Sequence, residues 1–397
     1  MTEIKPLTPE LLKASKKGRD WDLDMDYMVD VLNQLLTTPS PSGMTDAVVN
    51  LVCGLFDDLG IEYELTRRGA IRATLPGVSK APDRAIVAHL DTLGAMVKNL
   101  KNNGRCEVVP IGHWSARFAE GARVTIHSEL GQHHGTILPL KASGHTYNKE
   151  IDTQPSSWEN LEIRVDRRIH SKQDLIDHSI NIGDTVVVHA NPVFSDDGFV
   201  CSRHLDDKAG VAALLTAAKA IVEGKFRLPL ECHILLTISE EVGVGASHVL
   251  HGDVAEMVSI DNGTIAPGQN TCEYGATVAM QDMSGPFDWH LTRKLLTLAK
   301  AFQIEHSRDV FKYYRSDAAA ALEAGNDIRT ALVCFACDAS HGWERTNIES
   351  LEAVANLMVA YMRSPLLFER DEMALGPKED FPVAVHTTET EDAYGDD

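Results

Sequence analysis

Residues Leu230 to Ser239 form a mostly apolar run that stops at two adjacent acids, Glu240 and Glu241. A strand apolar on both faces must be covered on both faces, which is the situation of a parallel strand in an α/β sheet. Two carboxylates at its buried end repel each other unless a cation or a proton lies between them. This one segment asks for a layered α/β fold and for a charge-neutralising site at the edge of its sheet.

The flanking chain agrees. Met28, Val29, Val31, Leu32 and Leu35 carry a helical stripe that Pro39 to Gly43 break, and a second helix is expected over 46–59. Strands over 62–66, 70–75 and 84–89 follow, the last ending in His89-Leu90-Asp91. Between Val97 and Val188 helical periodicity fades. Short β-type runs at 107–111, 123–126, 135–138, 161–165 and 185–189 alternate with glycines, the texture of a small barrel or sandwich. After Asp206 the α/β pattern resumes, with helices expected over 209–222, 291–302, 316–324 and 348–362, and strands over 230–239, 258–261 and 330–336. The simplest organisation is a discontinuous α/β domain, residues 1–93 and 190–368, with a β insertion at 94–189. An acidic segment, 369–397, is expected to be a mobile tail, ending Glu389-Thr390-Glu391-Asp392.

Charge removes several functions. Lys plus Arg number 37 and Asp plus Glu 58, a formal net charge of −21. Such a surface repels phosphate backbones and anionic membranes. The first 25 residues hold no signal-type apolar core and no apolar stretch is long enough to span a bilayer. The expectation is a soluble, cytoplasmic protein. The seven cysteines are scattered and odd in number, which fits reduced thiols. Cys334 and Cys337 lie in an apolar run and read as core. His133 and His134 read as a solvated turn, and His248, His251, His290 and His306 as surface groups. Gly243-Val244-Gly245 follows two acids and makes a poor phosphate loop.

Polar clusters close the expected strands: His89-Leu90-Asp91, His204 to Asp207, Glu240-Glu241, Asp261-Asn262, and Asp338 to His341. Open α/β sheets bind ligands outside the carboxyl ends of their strands. A pair of divalent ions needs one bridging carboxylate and further terminal ligands on each ion. His89 and His341 offer an imidazole each, Asp206 a bridge, Glu241 and Asp261 terminal carboxylates. That mixed nitrogen and oxygen set suits zinc first, with cobalt or manganese acceptable. Glu240 is the candidate general base on a metal-bound water. Asp91, two residues beyond His89, is the candidate that holds its ring. Asp206 and Asp207 also suit a helix N-cap and first turn.

The ordered set Ala-His89-Leu-Asp91, Leu205-Asp206-Asp207-Lys208-Ala-Gly210, Ser-Glu240-Glu241-Val-Gly243, Asp261 and His341 resembles family 42 of the metallopeptidases, the tetrahedral or glutamyl-aminopeptidase-like enzymes. The resemblance runs over about 27–365 and includes Pro-Ser40-Pro-Ser42-Gly43 and Ser316-Asp317-Ala318. Within the family, the chain is most similar to the branch encoded beside synthesis genes for the osmoprotectant N-acetylglutaminylglutamine amide. The resemblance implies a mixed-sheet peptidase domain with an inserted β-barrel used for dimerisation, and dimers built into larger homo-oligomers, often dodecamers. It implies two divalent metal ions per chain and removal of N-terminal residues from peptides. By motif, His89, Asp206, Glu241, Asp261 and His341 match the metal ligands, Glu240 the base and Asp91 the orienting residue. Departures are Thr92 for the usual Glu, Lys208 for Arg, and Asp338-Ala339-Ser340-His341-Gly342-Trp343 for Arg-Tyr-x-His-Ser-Pro. Placing Asp338 where a cation is usual suggests a basic or neutral substrate side chain. The competing expectations are a deacylase or amidase on a small N-blocked metabolite at the same di-metal site, and a non-catalytic scaffold.

Overall fold

The computed structural model describes residues 18–382, so the acidic run Glu389 to Asp392 lies outside the described residues. Four strands, Leu228–Thr237, Gly77–His89, Val254–Ile265 and Arg329–Asp338, run parallel in that spatial order. They form the centre of a 12-stranded mixed sheet. Their sequences explain the position: Asp83 to His89 and Thr330 to Cys337 are buried without a break, which only a doubly covered sheet allows. Antiparallel strands Ile71–Leu75 and Glu62–Leu65 extend one side. Glu344–Asn347 and Phe199–Ser202 extend the other.

The helix Leu205–Glu223 packs on the sheet between helices Met25–Thr37 and Ile348–Met362. Its alanines permit that close approach, and every residue from Leu205 to Ala218 is buried. It starts four residues before the expected position, but Asp206 (φ −73°, ψ 108°) and Asp207 (φ −114°, ψ 22°) are not helical. They form a kink, and the residue at the cap position is His204, whose side chain makes no capping bond. The expected N-cap role of this pair is therefore corrected.

Strands Gly94–Leu100, Cys106–Ile111, Leu161–Val165, Gly131–Pro139, Arg123–Ser128 and Thr185–Val188 close into a barrel in that order. The barrel has its own core, including Val97, Val108, Ile126, Ile137, Ile163 and Val186. His133 and His134 are strand residues, not a turn. His133 is buried, and its Nδ1 accepts from Arg167 Nε at 3.1 Å. After Phe368, Glu369–Glu372 form a 3₁₀ turn, and Arg329 donates to the Asp371 carboxylate at 2.6 and 3.1 Å. Among the described residues no helix is long and apolar enough to cross a membrane.

Candidate active site

Chain direction places the site. From His89 the chain crosses to the strand on one side, Leu228–Thr237, whereas from Ile265 it crosses to the opposite neighbour, Arg329–Asp338. Diverging connections leave a crevice at the carboxyl ends of the two strands between them. Ser259 pairs with Val87. Two residues further along, Asp261 and His89 therefore face the same way at adjacent strand ends.

Asp206 lies between two imidazoles. Its Oδ1 is 3.1 Å from His89 Nε2 and its Oδ2 is 3.3 Å from His341 Nε2. His89, Asp206 and Asp261 bring one donor atom each within 4.8 Å of one another. Glu241 Oε2 is 3.7 Å from His341 Nε2, and Glu240 Oε2 is 3.8 Å from His89 Nε2. The five candidate ligands and Glu240 thus converge on one crevice.

Their supports are specific. His89 Nδ1 donates to the Asp91 main-chain oxygen at 2.9 Å, with the Asp91 carboxylate at 3.6 Å. That carboxylate accepts instead from the Glu240 and Glu241 N–H groups, at 3.0 and 3.3 Å, and from the Ser42 hydroxyl. Asp91 therefore steadies both the imidazole and the pair of acids. Asn262 Nδ2 donates to Asp206 Oδ2 at 2.7 Å and to Asp261 Oδ1 at 3.0 Å. Lys208, which stands where the family has arginine, turns away from the crevice, and burial lowers its pKa to about 7. Its Nζ donates to Leu35 O and Thr38 O at 2.7 and 2.6 Å, capping the C-terminus of the helix Met25–Thr37.

Asp207 Oδ2 accepts from the His89 N–H at 3.1 Å. A Cβ at Gly210 would lie 2.2 Å from Asp207 Oδ1 and 2.8 Å from Ile260 Cγ2. Gly to Ala inside a helix ordinarily stabilises by about 1 kcal/mol. At Gly210 the sign reverses, with an expected loss of roughly 1–3 kcal/mol from overpacking. A thermal melt of Gly210→Ala checks this, and a rise in Tm would contradict it.

The electrostatics call for a cation. Burial, then nearby carboxylates, push the Glu240, Glu241 and Asp261 carboxyls well above their usual range. Burial also works to raise Asp206, but hydrogen bonds from His341 and His89 outweigh it and hold Asp206 well below. Burial opposes charge on His341, yet Asp206 and Glu241 push its pKa up to about 10. Glu241 Oε1 is buried with no partner among the described residues. A surplus of buried carboxylates, an orphaned oxygen and two imidazoles on opposite oxygens of one carboxylate together fit divalent cations. A second acid–histidine group, Asp83, Glu231 and His233, is already filled by a cation: Arg72 Nη2 lies 2.9 Å from His233 Nε2 and 3.7 Å from Asp83 Oδ2.

An open cleft of ≈ 710 Å³ leads from Asp206, Glu240, Glu241, Asp261 and His341 to Phe311, Lys312, Tyr313, Tyr314 and Arg315. Asp338 is not among its lining residues, although Ser340 and His341 are. The expectation that Asp338 faces the substrate is corrected: away from the acidic cluster, the Lys and Arg residues that line the cleft are Lys312 and Arg315. Sequence reasoning passed over Lys312 and Arg315, which sit between recognisable helices without any motif. It also passed over His113, whose main-chain oxygen accepts from His341 Nδ1 at 2.8 Å across the barrel junction.

Residues 69–357 match the family described as M42 glutamyl aminopeptidase. The chain is 36% identical over 340 residues to the putative aminopeptidase YhfE of Bacillus subtilis (strain 168), covering 85% of this chain and 98% of that one. It is 24% identical over 226 residues to the glutamyl aminopeptidase of Lactococcus lactis subsp. cremoris, covering 56% and 62%. Its fold is similar to the TET aminopeptidase of a marine sediment archaeon, Thaumarchaeota archaeon SCGC AB-539-E09, with TM-score 0.78, 18% identity and coverage of 85% and 96%. It is similar also to the Pyrococcus horikoshii TET1 peptidase, with TM-score 0.74, 22% identity and coverage of 84% and 99%. The chain therefore belongs to the M42 glutamyl aminopeptidase family of metallopeptidases, hydrolases that act on peptides.

Proposed function

We propose that the protein removes N-terminal residues from peptides at a centre holding two divalent ions, zinc in the first instance. The observation that carries this reading is Asp206, which presents one oxygen to each imidazole, at 3.1 and 3.3 Å. Asp206 would bridge the ions, with His89, Asp261, Glu241 and His341 as the remaining ligands. When bound, the ions supply Lewis-acid polarisation of the peptide carbonyl and acidify water. Glu240 takes the proton from the attacking water and returns it to the leaving amine. The free amino terminus lies against the acidic floor of the cleft, a position that an N-acylated substrate cannot use. Assembly is proposed as dimer-based, through the barrel. It is the Pyrococcus horikoshii TET1 peptidase that is described as forming a tetrahedron or a large octahedral shell.

Metal titration tests the proposal. Chelator-stripped protein is expected to bind two zinc ions per chain, and Asp206→Asn is expected to lose tight binding of at least one. Binding of fewer than two ions by the unaltered chain would contradict it.

Side-chain preference is expected to follow the cleft rim. Arg315 is engaged by Glu323 at 2.8 and 2.6 Å, whereas Lys312 has no ion-pair partner among the described residues and lines the cleft. Lys312 should favour an acidic N-terminal residue over a basic one. A partly exposed ion pair contributes about 1 kcal/mol, so Lys312→Glu should shift the ratio of kcat/KM values by about fivefold or more toward basic residues. An unchanged ratio would remove Lys312 from selection.

A further inference from the structure

We infer that Glu344 is the positioning residue that ties the two halves of the metal centre together, through the main chain of two ligands. Its Oε1 accepts from the His341 N–H at 2.8 Å, and its Oε2 accepts from the Asp206 N–H at 3.2 Å. The side chain is 1% exposed and lines a small pocket with Asp206, Glu241 and His341. This rests on reading Asp206 and His341 as metal ligands.

Neither ligand is held by regular secondary structure. Asp206 lies in the kink at the start of its helix, with ψ 108°. His341 has φ +64° in a turn that also contains Ala339 at φ +55°. Left-handed backbone at a residue with a Cβ is unfavourable by about 1–2 kcal/mol and persists only when its surroundings enforce it. The Asp206 amide begins a helix whose first N–H groups have no partner within the helix. One carboxylate, with an oxygen for each N–H, satisfies both donors and fixes the separation of the two ligands. The turn beyond it is short, because Glu344 opens the strand Glu344–Asn347 three residues after His341. The imidazole itself is aimed separately, by the His113 carbonyl.

Glutamine at 344 keeps the shape but offers one oxygen acceptor and sets an NH₂ group against the other N–H. In Glu344→Gln, zinc affinity of the stripped protein, read by competition with a chromophoric chelator, should fall about 10- to 100-fold. Saturating zinc should restore kcat to near the unaltered value, because Glu344 acts through the ligands and not on substrate. Unchanged affinity would overturn the assignment, and so would a kcat deficit that excess zinc does not relieve. Hydrogen exchange on the unaltered, stripped protein decides the matter even if the variant fails to fold. With single-amide resolution, the Asp206 and His341 amides should both be protected, and rapid exchange of both would overturn the tie. If the unaltered chain binds no divalent ion, the proposed function fails, and the exchange result still judges Glu344 by itself.

Discussion

Glu240→Gln should lower kcat by roughly 10²–10⁴-fold, the usual contribution of a positioned general acid–base group, while two zinc ions remain bound. The separation of effects follows from geometry. Glu240 Oε2 faces His89 Nε2 at 3.8 Å, and the proposed ligand set is complete without it. Its backbone N–H is fixed by Asp91 at 3.0 Å, so the amide replacement leaves the strand end in place. Burial first, and then Asp261, Asp317 and Glu241, raise the Glu240 carboxyl, while His89 works against them. Steady-state kinetics with parallel metal analysis check the prediction. Near-normal kcat with both ions bound would remove Glu240 from the reaction.

The largest effect on stability is expected at Glu256, at the opposite end of the sheet. Glu256 is 1% exposed and meets two buried cations. Arg84 Nε lies 3.1 Å and Lys294 Nζ 3.0 Å from its Oε1. The same cations donate to the carbonyls that follow the last helix: Arg84 to Ser364 O at 3.0 Å, and Lys294 to Pro365 O at 2.7 Å. Removing one member of such a group strands charge in the core, at about 3–5 kcal/mol. Glu256→Ala should therefore lower Tm strongly. Replacing all three residues by apolar ones of similar volume should recover most of the loss. An unchanged melt for Glu256→Ala would refute the role.

The same group has a pH consequence. Burial would raise the Glu256 carboxyl, but Arg84 and Lys294 outweigh it and hold it below its ordinary value of 4.5. A carboxyl whose folded pKa is depressed gives stability that is complete above the unfolded pKa and fades as pH falls through the folded one. The loss belongs below about pH 4.5, and in Glu256→Gln that part of the acid sensitivity should disappear.

The parallel core of the fold was legible because its strands are buried on both faces, which writes itself as unbroken apolar sequence at Ala85 to Ala88 and Ala331 to Ala336. Their polar ends, His89, Glu240, Glu241 and Asp261, stood out against that background, and chain direction makes them converge. The short antiparallel strands over 62–66 and 70–75 and most of those of the barrel were legible, but Phe199–Ser202 and Glu344–Asn347 were not. Glu344–Asn347 is four polar residues long, and its pairing comes from neighbours that the chain reaches elsewhere. Glu344 itself escaped notice for a related reason: its partner Asp206 is 138 residues away and is contacted through the backbone. The kink at Asp206 and Asp207 was read as a cap because short acids before an alanine-rich helix look alike in either role. His133 was misread because flanking glycines suggested a turn, whereas barrel closure draws it into a strand.

The most direct measurement is a mass-spectrometric time course on a mixed peptide pool with zinc-loaded protein, each peptide present with a free and with an acetylated N-terminus. Stepwise loss of N-terminal residues from the free peptides alone is the result expected of this cleft. Cleavage confined to the acetylated peptides, or cleavage inside the chains, would contradict it.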